Sequence, residues 1–112
     1  MNDDLIDIGS MAELPVGRAR AFTIAGRRIA VYHTATGFFA SDNECPHRGG
    51  PLGEGDLLGG EIVCPWHLWG FDVESGICAG NPEVRITTHR VIVDGDRLLV
   101  SLVHERETSN QP

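Results

Sequence analysis

Two segments decide the fold, Cys45-Pro46-His47-Arg48-Gly49-Gly50-Pro51-Leu52 and Cys64-Pro65-Trp66-His67-Leu68-Trp69-Gly70-Phe71-Asp72. Each holds one cysteine and one histidine within a few residues, and sixteen residues separate His47 from Cys64. A thiolate and an imidazole on each of two loops make a metal-binding set. Two chemistries are open to it: a Cys2His2 zinc ion or an iron-sulfur cluster with mixed ligands. The order along the chain bears on the choice. Zinc sites of this kind usually pair cysteine with cysteine and histidine with histidine, whereas here the pairs are Cys-x-His and Cys-x-x-His. A two-iron cluster explains the alternation better, since two loops closing like jaws each give one cysteine to one iron and one histidine to the other.

Outward from these segments the chain reads as strands. On the N-terminal side the runs are Ala21 to Ile24, Arg28 to His33 and Phe38 to Ser41, separated by Ala25-Gly26 and Ala35-Thr36-Gly37. On the C-terminal side Val91 to Val93 and Leu98 to Val103 flank Asp94-Gly95-Asp96, a hairpin signal built on an Asp-Gly turn. Ser10-Met11-Ala12-Glu13 has the spacing of a capping box, but Pro15 and Gly17 limit it to about one helical turn. Between the two β blocks residues 42–83 are rich in glycine and proline, with short strand candidates at Glu61 to Cys64 and Gly70 to Val73. An insertion of this kind in a small domain is uncommon unless it carries function. The expected organisation is one domain over 1–104, a ligand-bearing subdomain at about 42–83, and a polar tail over 105–112.

The composition narrows the partners. The chain has 112 residues, 16 Asp plus Glu against 9 Lys plus Arg, and a formal charge of -7. All nine cations are arginine. Phosphate backbones and anionic membrane surfaces would be repelled, which argues against nucleic acid and membrane as partners. Three cysteines cannot form a fully paired disulfide framework. Met1-Asn2-Asp3-Asp4 is acidic where a secretory signal needs positive charge, and Arg27-Arg28 lies mid-chain rather than in an export signal. No run approaches the roughly 18 apolar residues of a membrane helix. The expected location is the cytoplasm.

The pattern Cys45-x-His47, sixteen residues, Cys64-x-x-His67 resembles the Rieske 2Fe-2S motif, and the resemblance extends from about Leu5 to Val103. It includes Ala40-Ser41-Asp42-Asn43 before the first loop, Gly49-Gly50-Pro51-Leu52 after it, Phe71-Asp72 after the second loop, and the closing hairpin. It implies an all-β fold, an antiparallel β-sandwich base with an inserted cluster-binding subdomain of two loops. It also implies one 2Fe-2S cluster, with Cys45 and Cys64 on the buried iron and His47 and His67 on the outer one. The bystanders are then Cys78, read as a buried small hydrophobe, and His33, His89 and His104, read as surface or turn residues. Arg48 steers a partner or pairs with Glu44 or Glu54.

The resemblance also places the potential. High-potential respiratory members carry a disulfide between the loops and Ser and Tyr hydroxyls on the sulfurs. The matching positions here are Gly50 and Trp66 for the disulfide, and Trp69 and Phe71 for the hydroxyls. Missing donors destabilise the reduced cluster, so the expected potential lies near the low end of the roughly -150 to +300 mV span of Rieske centres. Trp66, Leu68, Trp69 and Phe71 are expected to form an apolar shell around the second loop, with Pro51 and Leu52 under the first.

Two ferric ions, two sulfides and two thiolates sum to zero, so the oxidised protein keeps its charge of -7 and reduction adds one negative charge. Such an acidic carrier suits brief docking on basic patches. The implied function is that of a ferredoxin, a one-electron carrier and not an enzyme. It would pass electrons from an NAD(P)H-dependent flavoprotein reductase to a terminal oxygenase that hydroxylates aromatic rings, with no small-molecule substrate of its own. Two alternatives stand: the small subunit of an assimilatory NAD(P)H nitrite reductase, partnered by the large subunit, and a structural zinc module. A terminal oxygenase is disfavoured, because only three widely separated histidines remain outside the motif. The ferredoxin is preferred to the nitrite reductase subunit because all four ligands are intact.

Overall fold

Two-residue turns set the strand boundaries. The computed structural model describes residues 5–46, 49–66 and 69–103. Within them the strands are β1 (Leu5–Ser10), β2 (Ala19–Ile24), β3 (Arg27–Thr34), β4 (Gly37–Asp42), β5 (Asp56–Leu58), β6 (Glu61–Val63), β7 (Gly70–Asp72), β8 (Thr88–Asp94) and β9 (Arg97–Ser101). Ile24 pairs with Arg27, so Ala25-Gly26 is the whole β2–β3 turn. Both turn residues have positive φ, 52° and 80°, the conformation of a tight hairpin turn that follows the twist of its strands. Two expected turns are shorter than the sequence suggested. Gly37 pairs with Thr34, leaving Ala35-Thr36, and Asp94 pairs with Arg97, leaving Gly95-Asp96. In both cases the outer residue extends the ladder by one pair, because a two-residue loop is all the hairpin needs.

Every strand pairing is antiparallel, and the large sheet has the order β1-β9-β8-β4-β3-β2. Among the described residues its two halves, β1-β9-β8 and β4-β3-β2, pair strand to strand at Ala40–His89 and Ser41–Thr88. That narrow seam lets the halves fold toward each other as a sandwich. Leu14, Ile24, Ile29, Val31, Ala40 and Val100 form the core between them, with Ile6 and Ile8 of β1 packed on it. Met11–Glu13 form the one helical turn expected, of 3-10 type, and Ser10 Oγ accepts the Ala12 N–H, whereas a capping box would place that bond on Glu13.

β3 explains how the insertion docks. Its side chains alternate, and both faces are buried. Ile29 and Val31 face the sandwich core, while Ala30 and Tyr32 belong to a second core with Cys45, Leu52, Ile62, Cys64, Phe71, Val73, Cys78 and Ile86. That second core lies under a three-stranded sheet, β5-β6-β7, inserted between β4 and β8. Burying the Tyr32 phenol raises its pKa, and its O–H is satisfied by Ser41 Oγ at 2.7 Å, which in turn donates to Asp42 O. Strand β5 escaped the sequence reading because Asp56-Leu57-Leu58 is too short for any periodicity to show. No helix among the described residues is long and apolar enough to cross a membrane.

Candidate metal centre

The two cysteines occupy equivalent places on two hairpin loops. Glu44 bridges to Pro51, and inside that bridge the Cys45 N–H donates to Gly50 O at 2.9 Å. Val63 pairs with Gly70, and inside that pair the Cys64 N–H donates to Trp69 O at 2.8 Å. Each loop is therefore closed at its root by its own cysteine, six residues from first to last. His47 and His67 fall in the chain within these loops and, with Arg48, Leu68 and His104, lie outside the described residues.

Both cysteines face inward. Cys45 is 1 % and Cys64 0 % exposed, and both belong to the core under the small sheet. None of the three cysteines forms a disulfide. The loops abut at Gly50. A Cβ built there would stand 2.6 Å from Cys64 Sγ and 3.1 Å from Trp66 Cγ, so only glycine leaves the space beside that sulfur open. Two soft donors excluded from water, on touching loops, fit a thiophilic metal group.

The loops are held by residues that the sequence did not announce. Asn43, buried at the end of β4, accepts the Gly53 N–H on Oδ1 at 2.7 Å, and its carbonyl accepts the Leu52 N–H at 2.7 Å. Gly53 lies so close to β2 that a Cβ would meet the Ala21 backbone nitrogen at 2.8 Å. The far leg of the first loop is thus pinned to both β4 and β2. A side-chain amide within two residues of a candidate ligand was the available signal.

The apolar shell is partly as expected. Leu52 and Phe71 are fully buried and Trp69 packs on their core, whereas Trp66 is 59 % exposed. Cys78 is buried and bridges to Phe71, which fits a packing residue. His33 is half-buried, its Nδ1–H donating to Leu14 O at 2.7 Å and its ring stacking on Phe38 with centroids 3.8 Å apart. His89 overturns the expectation of a surface histidine. Its side chain is fully buried, with Nε2 at 2.9 Å from Asp42 Oδ1 and Nδ1 accepting the Val103 N–H. It faces inward because β8 pairs with β4 at this point and Asp42 supplies the partner a buried imidazole needs.

Residues 4–91 match the Rieske [2Fe-2S] domain. The ferredoxin component of the naphthalene 1,2-dioxygenase system of Pseudomonas aeruginosa is 34% identical over 104 residues, 91% of this chain and 99% of that one. Among solved structures, a complex of reduced oxygenase and oxidized ferredoxin in carbazole 1,9a-dioxygenase is matched with TM-score 0.81 at 28% identity, covering 89% of this chain and 94% of that one. A Mycobacterium tuberculosis protein assigned as the small subunit of an NADH-dependent nitrite reductase is matched with TM-score 0.85, covering 92% of this chain and 98% of that one. At 19% identity that is a likeness of fold. The chain belongs to the Rieske [2Fe-2S] domain family, whose cofactor is one 2Fe-2S cluster.

Proposed function

We propose that the protein is a Rieske ferredoxin that takes single electrons from an NAD(P)H-dependent flavoprotein reductase and delivers them to a terminal oxygenase of aromatic rings. Cys45, His47, Cys64 and His67 are the proposed ligands. The cluster, when bound, supplies a one-electron couple. The protein's own residues bury the thiolate sulfurs, close each loop at its root and keep a glycine beside Cys64. The proposed domain spans 1–104 with its ligand-bearing subdomain at about 42–83, and the proposed location is the cytoplasm.

The observation that carries this reading is sequence likeness along nearly the full length of a dioxygenase ferredoxin. Charge supports it. The stretch 42–83 holds eight acidic residues and one arginine, while the rest of the chain is balanced at eight of each. The net charge therefore sits on the subdomain that bears the ligands, where a basic partner would dock. A second reading, the small subunit of a nitrite reductase, is favoured by the likeness of fold. Reconstitution separates them. Iron-replete protein is expected to be red-brown, to give a mixed-ligand 2Fe-2S EPR signal on dithionite reduction, and to restore turnover to a reductase and an aromatic-ring oxygenase. A colourless protein without that signal would exclude both; turnover only with a sirohaem nitrite reductase would select the second.

A further inference from the structure

Gly50 and Trp66 belong to different loops and lie in contact. Gly50 is buried, and a Cβ on it would stand 3.1 Å from Cγ and 3.2 Å from Cδ2 of Trp66. Contacts that close are rare for a real Cβ, so the inner edge of the indole is seated on bare glycine backbone. The same virtual Cβ would lie 2.6 Å from Cys64 Sγ, which puts sulfur, glycine and indole at one point. The backbone bonds that close the loops, Cys45 to Gly50 and Cys64 to Trp69, run within each loop and not between them. No disulfide joins the loops either.

The exposure of Trp66 then has a reason. An indole of this size usually buries most of its surface. Here 59 % remains exposed, while the ring atoms Cγ and Cδ2 lie against Gly50 of the other loop. An aromatic ring in that position excludes water from the seam and resists separation of its two sides.

We propose that Trp66 is a positioning residue that holds the two loops closed over the cluster, with Gly50 as its seat. This deepens the electron-carrier reading and rests on it. Removing the indole opens the seam, admits water to the Cys64 sulfur and lets a chelator reach the iron. Water donating to sulfur also favours the reduced cluster, so the midpoint potential moves upward.

The test follows visible absorbance of the loaded protein in excess EDTA, together with the midpoint potential and far-UV circular dichroism. Trp66→Ala is expected to bleach about fivefold faster than the parent protein, at a raised midpoint and with an unchanged circular dichroism spectrum. Trp66→Phe keeps an aromatic edge and should bleach close to the parent rate. Gly50→Ala displaces the indole and crowds Cys64, and should also bleach faster; it decides the matter should Trp66→Ala fail to fold. A parent-like rate in Trp66→Ala or in Gly50→Ala would overturn the proposal, as would Trp66→Phe bleaching as fast as Trp66→Ala. If the parent protein itself shows no cluster spectrum, the electron-carrier reading falls and this inference with it.

Discussion

The imidazole of His89 spans the seam of the sandwich, donating from Nε2 to Asp42 Oδ1 at 2.9 Å and accepting the Val103 N–H on Nδ1 at 2.9 Å. Accepting on Nδ1 requires the neutral ring with its proton on Nε2. Arg27 completes the arrangement, donating to Val103 O at 2.9 Å and to Asp42 Oδ1 at 3.3 Å. One histidine thus ties β8 to the end of β4 and to the residue at the C-terminal side of β9. His89→Ala would leave the Val103 N–H without its acceptor and Asp42 with Arg27 still donating to it, at a cost of about 1–3 kcal/mol. The expected result is a lower midpoint in urea with an unchanged visible spectrum, because the first loop is pinned separately by Asn43.

The same carboxylate makes stability depend on pH. Burial alone would raise the pKa of Asp42, but the hydrogen bond of His89 and the guanidinium of Arg27 outweigh it and hold the group below 3.8. A folded pKa depressed below the unfolded one contributes stability that is fully present above the unfolded value. It is lost as pH falls through the folded value. Melting temperature should therefore drop below about pH 4, and Asp42→Asn should lower the plateau at neutral pH while flattening that acid limb. A parallel loss in both proteins would exclude Asp42 as a contributor.

Asn43 is the first loop's anchor, and its removal separates folding from loading. Asn43→Ala strands the buried Gly53 N–H and should cost about 1–3 kcal/mol. Gly53→Ala should cost more, because its Cβ would meet backbone of β2 and the Asn43 Oδ1 that already holds it. Urea melts measure the first effect, and iron and sulfide content per chain measure the second. Both variants are expected to load less cluster than the parent, whereas His89→Ala is not.

What the sequence disclosed follows from the range over which each cause acts. The β2–β3 hairpin was legible because Ala25-Gly26 between apolar runs is a local signal. The ligand pattern was legible because soft and borderline donors at that spacing have few other uses. The burial of His89 is not legible there, because it depends on β4 meeting β8 at a separation of 47 residues, which no local pattern records. In the sequence Gly50 shows only as a place where a disulfide is lacking. That its bare backbone seats an indole and leaves room for a sulfur emerges only when two loops are brought face to face.

Phe71 bears on the potential. It is fully buried beside Cys78, and neither it nor Trp69 carries a hydroxyl to donate to sulfur. The midpoint is expected in the lower part of the roughly -150 to +300 mV span, and a value above about +100 mV would contradict this. Phe71→Tyr introduces a hydroxyl at the position where the resemblance places a donor. Its midpoint should rise, read by potentiometric titration against the parent.

Glu61 and Asp72 stand directly opposite each other on β6 and β7, both acidic. Like charges so paired destabilise a sheet by a few tenths of a kcal/mol. Neutralising one, as in Glu61→Gln or Asp72→Asn, should therefore raise the melting temperature slightly. Asp72→Asn also keeps the oxygen that accepts the Ser75 N–H at 2.9 Å. If the acidic subdomain is the docking face, the same change should slow association with a reductase by about two- to threefold at low salt. The difference should vanish near 1 M salt, where screening shortens to about 3 Å. Asp94→Asn, at the far end of β8 on the charge-balanced base, serves as the control and should leave the rate unchanged. Stopped-flow reduction across an ionic-strength series measures all three, and equal effects from Asp72→Asn and Asp94→Asn would show that total charge governs docking rather than its placement.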